Sequence, residues 1–131
     1  MNKRIINRYI PIAMKVIDKE IENKDSDLIN NDKSIKGVYK GYISSFGASI
    51  IQSGLIATIA FFKNTESSSE GNKELVIKLI EKILKKDKKI NKNDKLLEVA
   101  IKSGFYFTQD VKNAAVALKL SLKTYRISKE D

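Results

Sequence analysis

The sequence predicts an all-α fold, a compact bundle of five or six helices, and three observations support this prediction. Along most of the chain, apolar residues recur every three or four positions, which is the spacing of one helical face. Hydrophobic residues make up 42% of the chain and charged residues 31%, as in soluble globular proteins rather than disordered ones. A length of 131 residues is enough for one core and too short for two. We therefore expect residues 1–131 to form a single helical domain.

The first helix is predicted to run from about Ile5, or from Pro11 as its first residue, to about Ile21. At about 100° per residue, its basic side chains fall within an arc of about 60°. Such a stripe indicates either a solvated face or a contact surface for an anion, and Glu22 dilutes it near the far end. The residues of this stripe are Arg4, Arg8, Lys15 and Lys19.

Residues 22–33 show no period and are rich in turn formers, which predicts a loop. Asn31 and Asp32 can cap the helix that follows. That second helix is predicted to bury apolar side chains from Ile35 to Phe46. Its outward basic residues are Lys33, Lys36 and Lys40.

The stretch from 38 to 62 is first amphipathic and then apolar on nearly every side. We expect a break between Gln52 and Gly54, because glycine accepts the left-handed conformation common just past a helix end, and a new helix over 55–62. Polar residues interrupt the apolar run, which falls short of the about 20 residues that span a bilayer. A buried core helix is therefore favoured over a membrane element.

Residues 63–72 are rich in serine and glycine and predict an exposed loop. The next helix is predicted over about 73–86, with lysines around its apolar face. Residues 85–95 form the densest charge run, but Asp87 and Asp94 are mixed into it. We interpret this run as a solvated connector rather than a binding site.

A short fifth helix is predicted over about 94–102, with Gly104 in the usual place beyond a helix end. Residues 105–107 are predicted to be a packed connection, and Thr108 can cap a last helix over 109–127. The outer side of that helix carries a basic stripe that no acidic residue interrupts. Its members are Lys112, Lys119, Lys123 and Arg126.

Composition excludes several kinds of chemistry. The chain contains no cysteine and no histidine, which removes thiol and imidazole nucleophiles, disulfides and the usual transition-metal ligands. Its carboxylates are not gathered in an apolar frame, so we expect no enzyme activity, no metal and no cofactor. A net charge of +9 favours a polyanionic partner. The lysine, asparagine and isoleucine bias of an A+T-rich genome is the alternative explanation of that charge.

The central stretch resembles the small subunit of the type III-B CRISPR effector, the RNA-targeting Cmr complex. Members of that family carry a tyrosine, a leucine-proline pair, and a small polar residue with Gly-Leu ahead of an Ala-Phe helix. This chain has Gly47 where the family often has proline. The matching residues are Tyr39, Ile43, Phe46, Ile50 or Ile51, Ser53, Gly54, Leu55, Ala60 and Phe61.

A second match is the closing helix, which has an alanine-rich middle in both. The short first helix before a variable loop is a third, weaker match. The chain departs from the family in having no tryptophan, where members tend to carry an aromatic near Ala117 and Leu118. The matching residues of the closing helix are Thr108, Val111, Ala114, Ala115, Ala117, Leu118 and Lys119.

The resemblance implies a non-catalytic helical subunit that stacks in several copies along the effector filament, beside subunits that hold the guide RNA and cut the target. We expect it in the cytoplasm, with other Cmr subunits, copies of itself and guide and target RNA as partners. Lysine stripes suit backbone phosphates, while base pairing reads sequence. The predicted nucleic-acid-binding residues are Arg4, Arg8, Lys15, Lys36, Lys40, Lys119, Lys123 and Arg126, the last three foremost.

Two other functions fit the same stripes. In the first, the chain is an assembly module whose basic faces pair with acidic faces of neighbouring subunits, without touching RNA. In the second, the lysine-rich fourth helix lies on a membrane surface. RNA binding at physiological salt separates the first from the leading hypothesis, and sedimentation with anionic vesicles tests the second.

Overall fold

The computed structural model describes residues 2–63 and 71–128, and over these residues the chain forms six α-helices and no β-strand. The all-α prediction is confirmed. The helices are α1 Lys3–Glu22, α2 Val38–Ser53, α3 Leu55–Lys63, α4 Lys73–Lys86, α5 Leu96–Lys102 and α6 Phe105–Leu122.

Two of the predicted features of the central region are confirmed. The helix break lies at Gly54, between α2 and α3, and α4 has the predicted bounds. The side chain of Asn72 caps α4 by accepting a hydrogen bond from the backbone N–H of Glu74 at 3.0 Å. α5 begins at Leu96 rather than at residue 94. Most of the loop predicted at 63–72 lies outside the described residues.

The alternative in which Pro11 opens the first helix is wrong, because α1 begins at Lys3. Asn2 caps it, and its side-chain oxygen accepts a hydrogen bond from a first-turn backbone N–H at 3.2 Å. A proline inside a helix costs about 3 kcal/mol, since its ring removes a hydrogen bond and crowds the preceding turn. The helix continues through Pro11 because Tyr9 before it and Ala13 after it are both fully buried in the core.

Ile35 is not part of a helix, which corrects the predicted start of the second helix. It forms an antiparallel bridge with Ile29 and a parallel bridge with Ile127. Its backbone N–H donates to the carbonyl of Arg126, and its carbonyl accepts from the N–H of Ser128, both at 2.9 Å. The segment after the last helix thereby holds the segment before α2 in an extended conformation.

The last helix differs from the prediction at both ends. It begins at Phe105 rather than at residue 109, and it ends at Leu122 rather than at residue 127. Phe105 is 70% exposed and Tyr106 is 84% exposed, so the prediction of a packed connection is wrong for these two side chains.

α1 and α6 pack side by side and run parallel. Three hydrogen bonds that join these helices and the residues at their ends connect positions with the same sequence separation of 111. They are Asn2 N–H to Asn113 Oδ1 at 3.5 Å, Ser121 Oγ to the Ile10 carbonyl at 3.3 Å, and Tyr125 Oη to the Met14 carbonyl at 2.9 Å. α6 also packs on α2, and α4 contacts both α1 and α6. Buried residues of all six helices form one contiguous core.

Aromatic side chains hold α2 and α3 to the start of α4. The rings of Phe46 and Phe62 meet edge to face with centroids 5.2 Å apart. The hydroxyl of Tyr39 accepts a hydrogen bond from the backbone N–H of Asn72 at 2.9 Å. The Lys73 ammonium group lies 5.3–5.9 Å from three aromatic ring centroids, an arrangement that favours a cation.

We expect alkaline unfolding to depend on Tyr39. Burial raises its pKa from 10.0 to about 12, so its neutral form is the one the fold stabilises. That stabilisation is complete below about pH 10 and is lost as the pH rises through about 12. Urea unfolding of the wild-type chain and of Tyr39→Phe should therefore show a wild-type stability that falls more steeply over this interval. Lysine deprotonation is common to both proteins, and parallel pH profiles would contradict the prediction.

Candidate nucleic-acid interface

The basic stripe predicted on the first helix is formed. Arg4, Arg8, Lys15 and Lys19 are all exposed on α1. Arg8 is partly neutralised, because its Nη2 donates a hydrogen bond to Asp87 Oδ2 at 2.9 Å. This bond raises the pKa of Arg8, and it ties α1 to the residue that follows α4.

Four lysines surround a groove between α1 and α4. Lys19 and Val16 line it from α1, and Lys82, Lys85 and Lys86 line it from α4. Among the described residues, neither Lys19 nor Lys86 takes part in an ion pair. The interpretation of Lys85 and Lys86 as part of a solvated connector missed this groove, because only the packing of α4 on α1 brings the two sets of lysines together.

An ion pair between Glu20 and Lys82 joins the two walls of this α1–α4 groove. Glu20 of α1 is only 7% exposed, and its carboxylate accepts hydrogen bonds from Lys82 Nζ at 2.9 Å and from Ser26 Oγ at 2.6 Å. A second ion pair joins Lys85 and Glu81 at 3.9 Å along α4. Two of the four lysines are therefore partly compensated, and the other two give the groove its net positive charge.

The structure does not bring the lysines of the second predicted stripe together on one helix. Lys33 and Lys36 precede α2, and Lys33 has a positive φ of 68°. The backbone N–H of Lys36 donates to the Leu28 carbonyl at 2.9 Å. Lys40 is exposed in the first turn of α2. The prediction that these three lysines share one helical arc is wrong, because the bridges formed by Ile35 keep this segment extended and the helix begins only at Val38.

The predicted C-terminal stripe is divided as well. Lys119 lies on α6 and Lys123 directly after it, but Arg126 lies beyond the helix. The guanidinium of Arg126 donates a hydrogen bond to the Asp32 carbonyl, and its Nη1 lies 3.7 Å from Asp32 Oδ2. Hydrogen bonds from Ser34 lower the pKa of the Asp32 carboxyl, and Arg126 lowers it further. An acidic partner is therefore present where the sequence suggested an uninterrupted stripe.

Lys119 lies beside an apolar groove between α2 and α6. Lys112 of the same helix lies two turns before it. The residues that line this α2–α6 groove are Ile43, Ser44, Gly47, Ile51, Lys112, Ala115, Val116 and Lys119.

The two grooves are separate surfaces. One follows the side of α1 that faces α4, and the other follows the side of α6 that faces α2. The residues that line one groove do not line the other, and Asp18 on α1, which accepts a hydrogen bond from Tyr125 Oη at 2.6 Å, lines neither. The lysines that line the two grooves therefore lie on separate surfaces of the bundle.

A family model described as CRISPR-associated protein (Cas_Cmr5) matches residues 13–123. The chain belongs to the Cas_Cmr5 family. The match extends from the middle of α1 to the residue after α6, so it includes both grooves. It confirms the resemblance to the small subunit of the type III-B Cmr effector. No curated protein and no solved structure matches this chain.

Because it belongs to the Cas_Cmr5 family, the chain is a subunit of a CRISPR-associated Cmr complex. It therefore associates with the other subunits of that complex. The family is the small subunit of the complex and not its catalytic subunit. Within residues 2–63 and 71–128, no helix of this Cas_Cmr5 member is long and apolar enough to cross a bilayer.

Within residues 2–63 and 71–128, the carboxylates of this Cas_Cmr5 member do not assemble into a metal site. Over the part of the chain that the structure describes, no group of three or more acidic residues could hold a metal ion. Asp87 and Asp110 lie close enough to interact, and burial raises the pKa of Asp110, but Lys89 and Arg8 oppose that shift. The hydroxyl of Tyr9 next to them is buried and makes no hydrogen bond of good geometry to any described residue; burial raises its pKa, and the nearby Asp87 carboxylate raises it further. Asp87, Lys89, Asp110 and Tyr9 therefore form a local polar cluster next to Arg8.

Proposed function

We propose that this Cas_Cmr5 member is a non-catalytic, single-domain subunit that stacks in several copies along the effector filament and helps to hold the guide–target RNA duplex. The α1–α4 groove carries the proposal, because it presents four lysines from two packed helices. The contiguous core supports the single domain. Base pairing supplies sequence recognition, so the subunit needs only to bind the backbone.

The chemistry of the α1–α4 groove fits phosphate. Lys19 and Lys86 have no carboxylate partner among the described residues, so each can pair with a phosphate without first breaking an ion pair. The bond between Lys82 and Glu20 fixes one helix against the other, which limits the ordering entropy that RNA binding must offset. Arg4 and Lys15 extend the same side of α1.

The other predicted contacts support a wider footprint. The guanidinium groups of Arg8 and Arg126 are exposed to solvent, which screens their ion pairs, so a phosphate can replace their carboxylate partners. Lys40 and Lys123 are exposed, and Lys36 and Lys119 are half-buried. We retain all of these as candidate phosphate contacts outside the α1–α4 groove, and Lys119 also lines the α2–α6 groove.

The salt dependence of RNA affinity tests the proposal. In the assembled complex, the double variant Lys19→Glu/Lys86→Glu should weaken binding of the guide–target duplex and flatten the plot of log affinity against log salt. Each lost phosphate contact should reduce the slope by about 0.7–0.9, so each variant copy in the complex should reduce it by about 1 to 2. Fluorescence anisotropy at several salt concentrations measures this slope.

A matched control is Lys63→Glu/Lys102→Glu, which changes the net charge equally on α3 and α5, away from the groove. Only the groove variant should change the slope. The same assay with Lys119→Glu/Lys123→Glu tests the C-terminal contacts, and unchanged affinity would remove those two lysines from the interface. If no variant changes the slope, the subunit does not hold RNA, and the assembly module becomes the better function.

A further inference from the structure

The α2–α6 groove differs in chemistry from the α1–α4 groove. Most of its lining is apolar or small, contributed by both helices. Ile51 is 76% exposed on its edge, although isoleucine is among the residues most often buried. Lys112 and Lys119 are half-buried along one side of it. An apolar surface bordered by cations on one side suits an amphipathic partner.

The spacing of the two lysines fits a helical partner. Lys112 and Lys119 lie seven residues apart on α6, which separates them by two turns, or about 10.5 Å along the helix axis. A helix lying along the groove would match them with two acidic residues at the same spacing. Its apolar stripe, at intervals of three and four, would cover Ile51 and the small residues of the groove.

Gly47 leaves the groove open at its centre. A Cβ atom placed on this residue would meet no other atom within 4 Å, so a side chain there would project into free space. Ala115 on the facing helix is also small. The backbones of α2 and α6 therefore leave room for another helix to approach closely.

We propose that the α2–α6 groove binds an acidic amphipathic helix of a different protein chain in the complex. RNA fits less well, since an apolar surface gives no compensation for desolvating a phosphate backbone. A second copy of this chain also fits less well, because no helix in residues 2–63 or 71–128 has more acidic than basic residues. The inference rests on charge and shape at this groove, and not on RNA binding by the α1–α4 groove.

Photo-crosslinking in the assembled complex tests the occupant. A photoreactive phenylalanine analogue replaces Ile51, and mass spectrometry identifies the linked peptide. The expected product is a segment of another protein subunit that is helical, amphipathic and acidic. A crosslink to a second copy, to RNA or to a segment without acidic residues would overturn the proposal, as would a yield no higher than that from the analogue at Ile101, an exposed residue on α5.

Two further variants separate docking from RNA binding. Gly47→Met should fill the groove and reduce retention of the subunit in the complex by about tenfold, whereas Gly41→Met, on the same helix but outside the groove, should leave retention unchanged. Lys112→Glu/Lys119→Glu should reduce retention to a similar extent. Retention is measured by co-purification with a tagged subunit, and circular dichroism confirms that each variant is folded.

RNA binding by the isolated variants distinguishes the two proposals. If Gly47→Met loses the complex but keeps the RNA affinity of the isolated wild-type chain, the groove docks protein independently of RNA. If Gly47→Met and the charge-reversal variant are both retained normally, the groove has no such partner, and the α1–α4 proposal is unaffected.

Discussion

Replacing Phe46 with alanine is expected to lower the free energy of unfolding by about 3–5 kcal/mol. The side chain is 0% exposed, and its ring packs edge to face on Phe62 across the α2–α3 junction. Truncation would leave a cavity beside Phe62 in the core, and the surrounding side chains can relax into it only in part. This loss is a large fraction of the about 5–15 kcal/mol by which a typical domain is stable.

Urea unfolding followed by circular dichroism measures this loss. The matched control is Ile51→Ala, which removes an isoleucine from the same helix at a position that is 76% exposed. The control should change the stability by less than about 0.5 kcal/mol. A loss below about 1 kcal/mol for Phe46→Ala would show that this ring is not part of a tightly packed core.

Replacing Gly54 with alanine is expected to cost about 1–3 kcal/mol. The residue has φ 86° and ψ 166°, a backbone conformation that is essentially restricted to glycine. No side chain crowds the position, since a Cβ there would meet nothing within 4 Å. The whole cost is therefore conformational, and it falls on the residue that lets α3 leave α2 at a new angle.

Gly47→Ala is the control for this prediction and should have the opposite sign. Gly47 lies inside α2, where alanine is favoured over glycine by about 0.5–1 kcal/mol and a Cβ meets no clash. Thermal unfolding of the two variants beside the wild type measures both effects. A stabilised Gly54→Ala variant would mean that the junction adopts an ordinary helical backbone.

The elements that could be predicted from the sequence are those whose signals are local. The bounds of α4 follow from the cap at Asn72 and a regular apolar period, and the break at Gly54 follows from the tolerance of glycine for positive φ. The ends of α6 do not follow in this way. Phe105 and Tyr106 carry no helical period, and the segment near Ile127 is removed from the helix by a bridge to Ile35, a partner far away in sequence.

In the candidate site, too, the features with local sequence signals could be predicted, and those that depend on tertiary packing could not. The stripe on α1 depends only on the rotation per residue, so its four members could be predicted. The α1–α4 groove could not, because it requires Lys19 and Lys86 to be brought together by the packing of two helices. The partner of Arg126 was missed for the same reason, since Asp32 lies 94 residues away in sequence.

The parallel pairing of the first and last helices has a consequence for biosynthesis. α1 is synthesised before the other five described helices, yet much of its apolar surface is covered by α6, and the residues paired across this interface are 111 positions apart in sequence. Contacts between residues so far apart in sequence slow folding, and they leave hydrophobic surface uncovered in the nascent chain. α1 must therefore remain soluble until α6 has been translated, and its exposed lysine and arginine side chains help to keep it so.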